Sequence, residues 1–235
     1  MQSQGVVVAS DKHMEWLLPW WWERYSSCNI LPVVFVDLGM SREKKKWCQK
    51  KGSVLSLEGK RQEKLPPPET LLEWKKRYGE SYVQARNAWF KKPLACRMSP
   101  FETSLWLDLD CEVLENIEHI FSFLQGGQEI SIAWDARQEV YNSGVIVFRK
   151  NSPLMEEWAD LASTQSDLYW GDDRILSSIL ERFPEKVSLL SDLYHWRLSE
   201  GLPMGAKIIH WCGEWGKLCL AQHGGLKSVL KSGYQ

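Results

Sequence analysis

The stretch S-L-W-L-D-L-D-C-E-V, residues 104–113, decides how the rest of the chain is read. Residues 104–109 are apolar enough for a buried strand, and 112–114 continue in extended form beyond it. Strand side chains alternate between faces, so Asp108 and Asp110 are expected to point the same way, two residues apart. They stand where the apolar run ends, and ligands of open α/β sheets bind beyond the carboxyl ends of strands. Two carboxylates crowded there repel each other unless a cation lies between them. Mn2+ or Mg2+ suits such a pair, because both take oxygen ligands and keep positions open for phosphate oxygens. A pair of solvated loop acids is the plain alternative for D-x-D taken alone.

Around this stretch, short β-branched runs alternate with helical patterns, the signature of an α/β sheet with helices on both faces. Strands are expected at 5–9, 31–36, 53–57, 130–134, 144–148, 187–190 and 207–210. Helices are expected at 11–25, with Asp11 as N-cap, in the lysine-rich segment after Ser41, in a region carrying Arg86 and Lys92, and at 153–163 and 172–183. The run Pro66-Pro67-Pro68 predicts a surface loop. With no internal repeat and 235 residues, one domain spanning 1–235 is expected.

Three further strings carry chemistry. Y-N-S-G-V-I-V-F, 141–148, sets polar Asn142 and Ser143 and the small Gly144 at the mouth of an apolar strand, where glycine lets the backbone approach a ligand. W-G-D-D-R-I-L-S-S-I-L, from Trp170, opens a helix with Asp172 and Asp173 in its first turn; plain complements to the helix dipole are the alternative reading. K-I-I-H-W-C-G-E-W-G-K, 207–217, ends a strand in His210, followed by a glycine-bearing loop and Lys217. That histidine would be a third metal ligand, and the lysine a point charge for a diphosphate.

In this order the set resembles the GT-A-fold glycosyltransferases, and most closely glycosyltransferase family 8 and its relatives. The resemblance implies a Rossmann-like, single-domain α/β fold with a mixed central sheet flanked by helices. Its nucleotide-binding part would be about 1–115 and its acceptor and sugar part about 116–235. By the same resemblance, Ala9, Ser10 and Asp11 end the opening strand and contact the nucleotide. Asp108, Asp110 and His210 hold Mn2+ or Mg2+, and Gly213 and Lys217 serve the diphosphate; Arg86 is placed at the sugar or phosphate, with a salt-bridged structural arginine as the alternative. Trp134, Asp135, Asn142 and Ser143 line the sugar pocket, with Asp172 as a catalytic residue. Asp173 beside it is expected to be catalytic from its own chemistry, as a general base giving inversion or a nucleophile giving retention, or else only to bind sugar hydroxyls. The implied reaction is transfer of a sugar from a nucleotide-sugar donor, a UDP-sugar in family 8, to a glycan, glycolipid or protein acceptor, with retention. Three departures stand out. Lys217 comes one residue late and Leu218 replaces the family proline, the approach through 86–93 differs, and Asp173 stands where the family has glutamine.

Two rivals are set beside it. A haloacid-dehalogenase-type phosphotransferase also uses D-x-D, but wants Thr or Val where Glu112 stands. A non-catalytic nucleotide-sugar binding or scaffold protein would keep the same residues.

Net charge of -1 gives no reason to expect nucleic acid as a partner. The six cysteines form no C-x-x-C pair and fit free thiols in a reducing cytosol. The apolar run 5–9 is too short for a signal peptide, and no stretch approaches ~20 apolar residues. A cytoplasmic location is therefore expected. L-L-P-W-W-W at 17–22 and Lys44, Lys45, Lys46, Lys50 and Lys51 leave two readings open: peripheral contact with an anionic membrane, or core indoles and a solvated helix face.

Overall fold

The computed structural model describes residues 3–57, 64–79, 81–197, 201 and 204–231. β1 (Gln4–Ser10) lies between β2 (Val33–Asp37) and β4 (Thr103–Leu107), parallel to both, and β3 (Ser53–Ser56) runs parallel to β2 at the edge. On the other side of β4, the long β7 (Val140–Arg149) pairs antiparallel, followed by β6 (Ile130–Asp135) and β8 (Val187–Leu189). The result is a mixed seven-stranded sheet in the order β3-β2-β1-β4-β7-β6-β8. A second, two-stranded ribbon pairs β5 (Cys111–Val113) with β9 (Ile208–His210).

Strand alternation splits the core in two. Val6 and Val8, Val33 and Phe35, and Leu105 and Leu107 face one side; Val7, Val34, Val36 and Trp106 face the other. Against the first side pack α1 (Leu18–Ser26), the β5–β9 ribbon, α7 (Gly213–His223) and α8 (Leu226–Lys231). Against the second pack α4 (Tyr82–Arg97), α5 (Pro153–Thr164) and α6 (Asp172–Leu180). Each large aliphatic side chain so buried contributes roughly 1.5–3 kcal/mol, so both layers are held mainly by hydrophobic burial. Among the described residues, the two remaining α-helices are α2 (Arg42–Gln49) and α3 (Pro68–Tyr78).

The helix expected at 11–25 begins only at Leu18, with Pro19 in its first turn. Asp11 caps a tight turn instead, its Oδ1 accepting from the His13 and Met14 amides at 2.9 Å. The proline run also differs from expectation: Pro68 opens α3, a position where its missing N–H costs nothing. The segment after His210, read as a loop, is the start of α7.

The three consecutive indoles part company. Trp21 is fully buried and stacks on Tyr25, with centroids 5.0 Å apart. Trp20 donates to the Gly224 carbonyl, and Trp22 packs on Phe35 beneath Lys51. Among the described residues no helix is long and apolar enough to cross a membrane.

Candidate active site

β4 ends at Leu107, so the two acids lie in a turn rather than on a strand. The Asp108 amide donates to the Gly144 carbonyl at 2.9 Å, and the Cys111 amide closes the turn on the Asp108 carbonyl at 3.0 Å. Alternation is therefore not what brings the carboxylates together. The turn feeds β5, whose Cys111 stands opposite His210 of β9, about a hundred residues later in the chain. The Trp211 amide then donates to the Asp110 carbonyl at 2.9 Å, fixing the ribbon's end against the turn.

His210 sits between the acids. Its Nε2 lies 3.4 Å from Asp110 Oδ1 and 3.8 Å from Asp108 Oδ2. Gly144 makes this placement sterically feasible: a Cβ there would stand 2.5 Å from His210 Nδ1 and closer still to Cε1. A Gly144→Ala variant should therefore push the imidazole out of register. Overpacking of this kind costs roughly 1–3 kcal/mol, and a lowered Tm together with weakened Mn2+ binding would show it. An unchanged protein would mean that the ring is not wedged against the strand.

Two lysines neutralise the acids. Lys217 Nζ lies 2.7 Å from Asp110 Oδ2. Helical side chains lean toward the helix N-terminus, so a lysine one turn into α7 reaches back to the ribbon's end, its ammonium also 3.5 Å from the Gly213 carbonyl. Gly213 has φ +78, a left-handed conformation that turns the chain from Cys212 into α7. Burial works against charge at Asp110, but Lys217 and His210 outweigh it and hold its carboxyl far below the usual range. The Lys217 pKa is raised in turn, because Asp110 offsets the cost of burying its ammonium.

Lys92, on α4, is almost fully buried. Its Nζ lies 3.1 Å from both oxygens of Asp108, 3.0 Å from Ser143 Oγ, 3.3 Å from the Ser143 carbonyl and 3.4 Å from Asp172 Oδ2. Desolvating an ammonium costs several kcal/mol. Its gross attraction to one carboxylate at this range is about 5 kcal/mol for an effective dielectric of 20, and two carboxylates act here. Attraction wins: burial alone would lower the Lys92 pKa, yet Asp108 and Asp172 raise it. The Trp106 indole adds a 2.8 Å bond to Asp108 Oδ1.

Asp172 accepts from Ser143 Oγ at 2.9 Å, and burial raises its pKa despite Lys92. Asp173 accepts from the Arg174 amide at 2.8 Å, and its pKa is pushed up to about 6 by burial and then by the Asp172 charge. Behind His210 lies His195, its Nε2 2.9 Å from His210 Nδ1. Burial first, then His210 and Arg197 beside it, drive its pKa well below the ordinary value, so it stays neutral.

The remaining expected residues fall in different places. Ala9 and Ser10 close β1, the parallel neighbour of β4, and Asp11 opens the turn that follows. Asn142 Oδ1 accepts from the Gly144 amide at 2.9 Å, and Trp134 is partly exposed, edge-on to Tyr141. Asp135 is fully engaged elsewhere. Both its oxygens take Arg197, Oδ1 at 2.9 Å, and Oδ1 also accepts from the Arg137 and Gln138 amides. Arg86, expected at the diphosphate, is a buried structural residue. It donates to the Ser166 and Tyr169 carbonyls and stacks over Phe90 at 4.2 Å, so Lys92, two helical positions beyond Phe90, is the α4 cation that reaches the acids. The signal for Lys92 was its place as the second of two consecutive lysines, directly before the run P-L-A-C, which is too small and apolar for a helix surface. His195 and Arg197 had no such signal.

A divalent ion fits these donors. Two ligands about 2.1 Å from one ion and at right angles stand about 3 Å apart, and the His210 nitrogen is 3.4 and 3.8 Å from its two carboxylate neighbours. Two oxygens and an imidazole suit Mn2+. Among the described residues, the group of ligand-type atoms that all lie within 4.8 Å of one another is Asp110, Cys111 and His210; Asp108 faces the same imidazole but is not part of it. We discount the thiol: burial raises its pKa well above normal, its sulfur hydrogen-bonds the Gly144 carbonyl at 3.6 Å, and a protonated thiol is no ligand for a hard ion.

No known protein-family profile matches the sequence, and no curated protein matches it. Similarity lies at the level of the fold. The galactosyltransferase LgtC, solved with donor and acceptor sugar analogs, has a TM-score of 0.63 at 11% identity, over 89% of this chain and 87% of its own. GlyE from Streptococcus pneumoniae TIGR4, a glycosyltransferase, has 0.62 at 16%, over 91% of this chain and 55% of its own. Mouse xyloside xylosyltransferase 1 has 0.54 at 17%, over 89% and 97%. The fold is thus GT-A, and the haloacid-dehalogenase alternative finds no support in it.

Proposed function

We propose that this chain is a metal-dependent glycosyltransferase, moving a sugar from a nucleotide diphosphate to a hydroxyl of a glycan, glycolipid or protein. The donor is a UDP-sugar and the configuration is retained, both in keeping with the resemblance to family 8. The observation that carries the reading is the convergence on Asp110 of an imidazole and an ammonium, beside a second carboxylate facing the same imidazole.

Asp108, Asp110 and His210 would hold Mn2+ or Mg2+, which as a Lewis acid offsets charge on the departing diphosphate. Four carboxylates (Asp108, Asp110, Asp172 and Asp173) against two ammoniums leave two net negative charges once Asp173 is ionised, which a bound dication would cancel before the phosphates arrive. Lys217, whose side chain is a third exposed, can swing from Asp110 to a phosphate oxygen. Ala9, Ser10 and Asp11, at the end of the neighbouring strand, would meet the nucleotide. Lys92 holds Asp108 and Asp172 in fixed relation, positioning the metal side against the sugar side, where Ser143, Asn142 and Trp134 stand. Catalysis is then chiefly positioning and electrostatics.

Incubating the protein with a panel of nucleotide sugars, with Mn2+ and with EDTA, tests this. Metal-dependent release of nucleoside diphosphate is expected. Binding without turnover would favour a nucleotide-sugar binding protein instead.

Asp173 carries a pH prediction. If its carboxylate acts as base or nucleophile, activity rises with a midpoint near 6, and Asp173→Asn abolishes that limb; near-normal activity in the variant excludes both roles. Stability has its own sign. The unfolded chain releases this proton near 3.8 and the folded chain near 6, so the native state loses stability as pH rises through that window. Asp173→Asn should therefore melt higher than the parent at neutral pH and alike at about pH 4.

A further inference from the structure

His195 follows a short 3-10 turn (Asp192–Tyr194) and is joined to the strand that carries His210. The His210 amide donates to the Trp196 carbonyl at 2.8 Å, and the Trp196 amide to that of Ile208 at 3.0 Å. The two imidazoles meet edge to face, centroids 5.0 Å apart, with His195 Nε2 2.9 Å from His210 Nδ1. Both rings are buried.

A neutral imidazole has one N–H and one lone pair, so a bond between two such rings links their tautomers. His210 Nε2 faces the carboxylate oxygens of Asp108 and Asp110, where a neutral ring would hold its hydrogen. Its Nδ1 then accepts, and His195 Nε2 donates. A metal on His210 Nε2 needs the lone pair there, which places the hydrogen on Nδ1 and requires His195 Nε2 to accept.

We propose that His195 is a positioning residue, its tautomer locked to that of His210, which reverses the shared hydrogen bond when an ion binds and thereby fixes His210 as an Nε2 ligand. Protons balance within the pair. The shared one passes from His195 Nε2 to His210 Nδ1, and the one displaced from His210 Nε2 is replaced by one taken up at His195 Nδ1, so no net proton is released. The inference rests on the metal reading given above.

Mn2+ affinity of the full chain, followed by titration calorimetry, tests it. Outer partners of metal-bound histidines typically govern roughly 10–100-fold in affinity. His195→Leu should lose about that much, with the fold checked by circular dichroism. His195→Gln, whose side-chain oxygen reaches the place of Nε2 and can accept, should recover most of it. Wild-type affinity in the leucine variant, or a glutamine variant no better than leucine, overturns the inference while leaving the metal reading intact. If His210→Ala binds Mn2+ as the parent does, or the parent does not bind, the metal reading fails and this inference with it. Side-chain nitrogen NMR of the parent gives an answer even if the leucine variant misfolds. Both rings should carry hydrogen on Nε2 without metal and on Nδ1 with Mg2+; unchanged tautomers overturn the inference.

Discussion

Lys92→Met is expected to damage both stability and activity. The substitution keeps the length of the side chain but strands Asp108 and Asp172, the latter nearly fully buried, without their shared cation. Breaking a buried ion pair on one side costs about 3–5 kcal/mol, which for a chain of this size is a drop in Tm of about 10 °C. Turnover should fall at least about 100-fold, the scale of one electrostatic contact to a reacting centre, since Asp108 and Asp172 are then free to drift apart. The double variant Lys92→Met/Asp172→Asn removes the stranded charge and should regain part of the stability but none of the activity. A single variant melting within a degree or two of the parent would show that the buried ammonium is not what holds the three elements together.

Asp110→Ala should behave differently. Its partner Lys217 lies on the rim and can turn to water, so stability should change little. Turnover with Mn2+ should fall by roughly 1000-fold, and metal affinity with it. An intact rate would end the metal assignment. The contrast between the two variants, one crippled in folding and function and the other in function alone, separates the interior cation from the ligand at the mouth.

The sheet was legible because its strands are short apolar runs with clear ends, so the expected 130–134 and 144–148 correspond closely to β6 and the second half of β7. The grouping of Asp108, Asp110, His210 and Lys217 was legible from their motifs, though for a partly mistaken reason: a turn aligns the acids, not a strand. Lys217 stands one residue late against the family spacing, yet from the helix that begins at Gly213 its ammonium still reaches Asp110. What escaped was set by tertiary contact. Arg86 and Lys92 are both cations on α4, and local sequence does not show which helical face meets the acids. His195 lies between a 3-10 turn and an isolated bridge, with no periodic pattern around it. Asp135 was expected in the sugar pocket, but Arg197, far along the chain, closes on it.

The β5–β9 ribbon has a consequence for how the chain comes into being. The seven strands of the main sheet are all made by Leu189, whereas His210 and Lys217 follow later. A nascent chain therefore possesses its scaffold before it possesses a site, and cannot capture a cation or a diphosphate while the sheet is still assembling. Any ligand that bridges Asp110 to the last segment adds its binding free energy to the docking of that segment alone. Ligand occupancy would then slow hydrogen exchange along β9 and α7 more than along the central strands, making that segment the part that senses whether the site is filled.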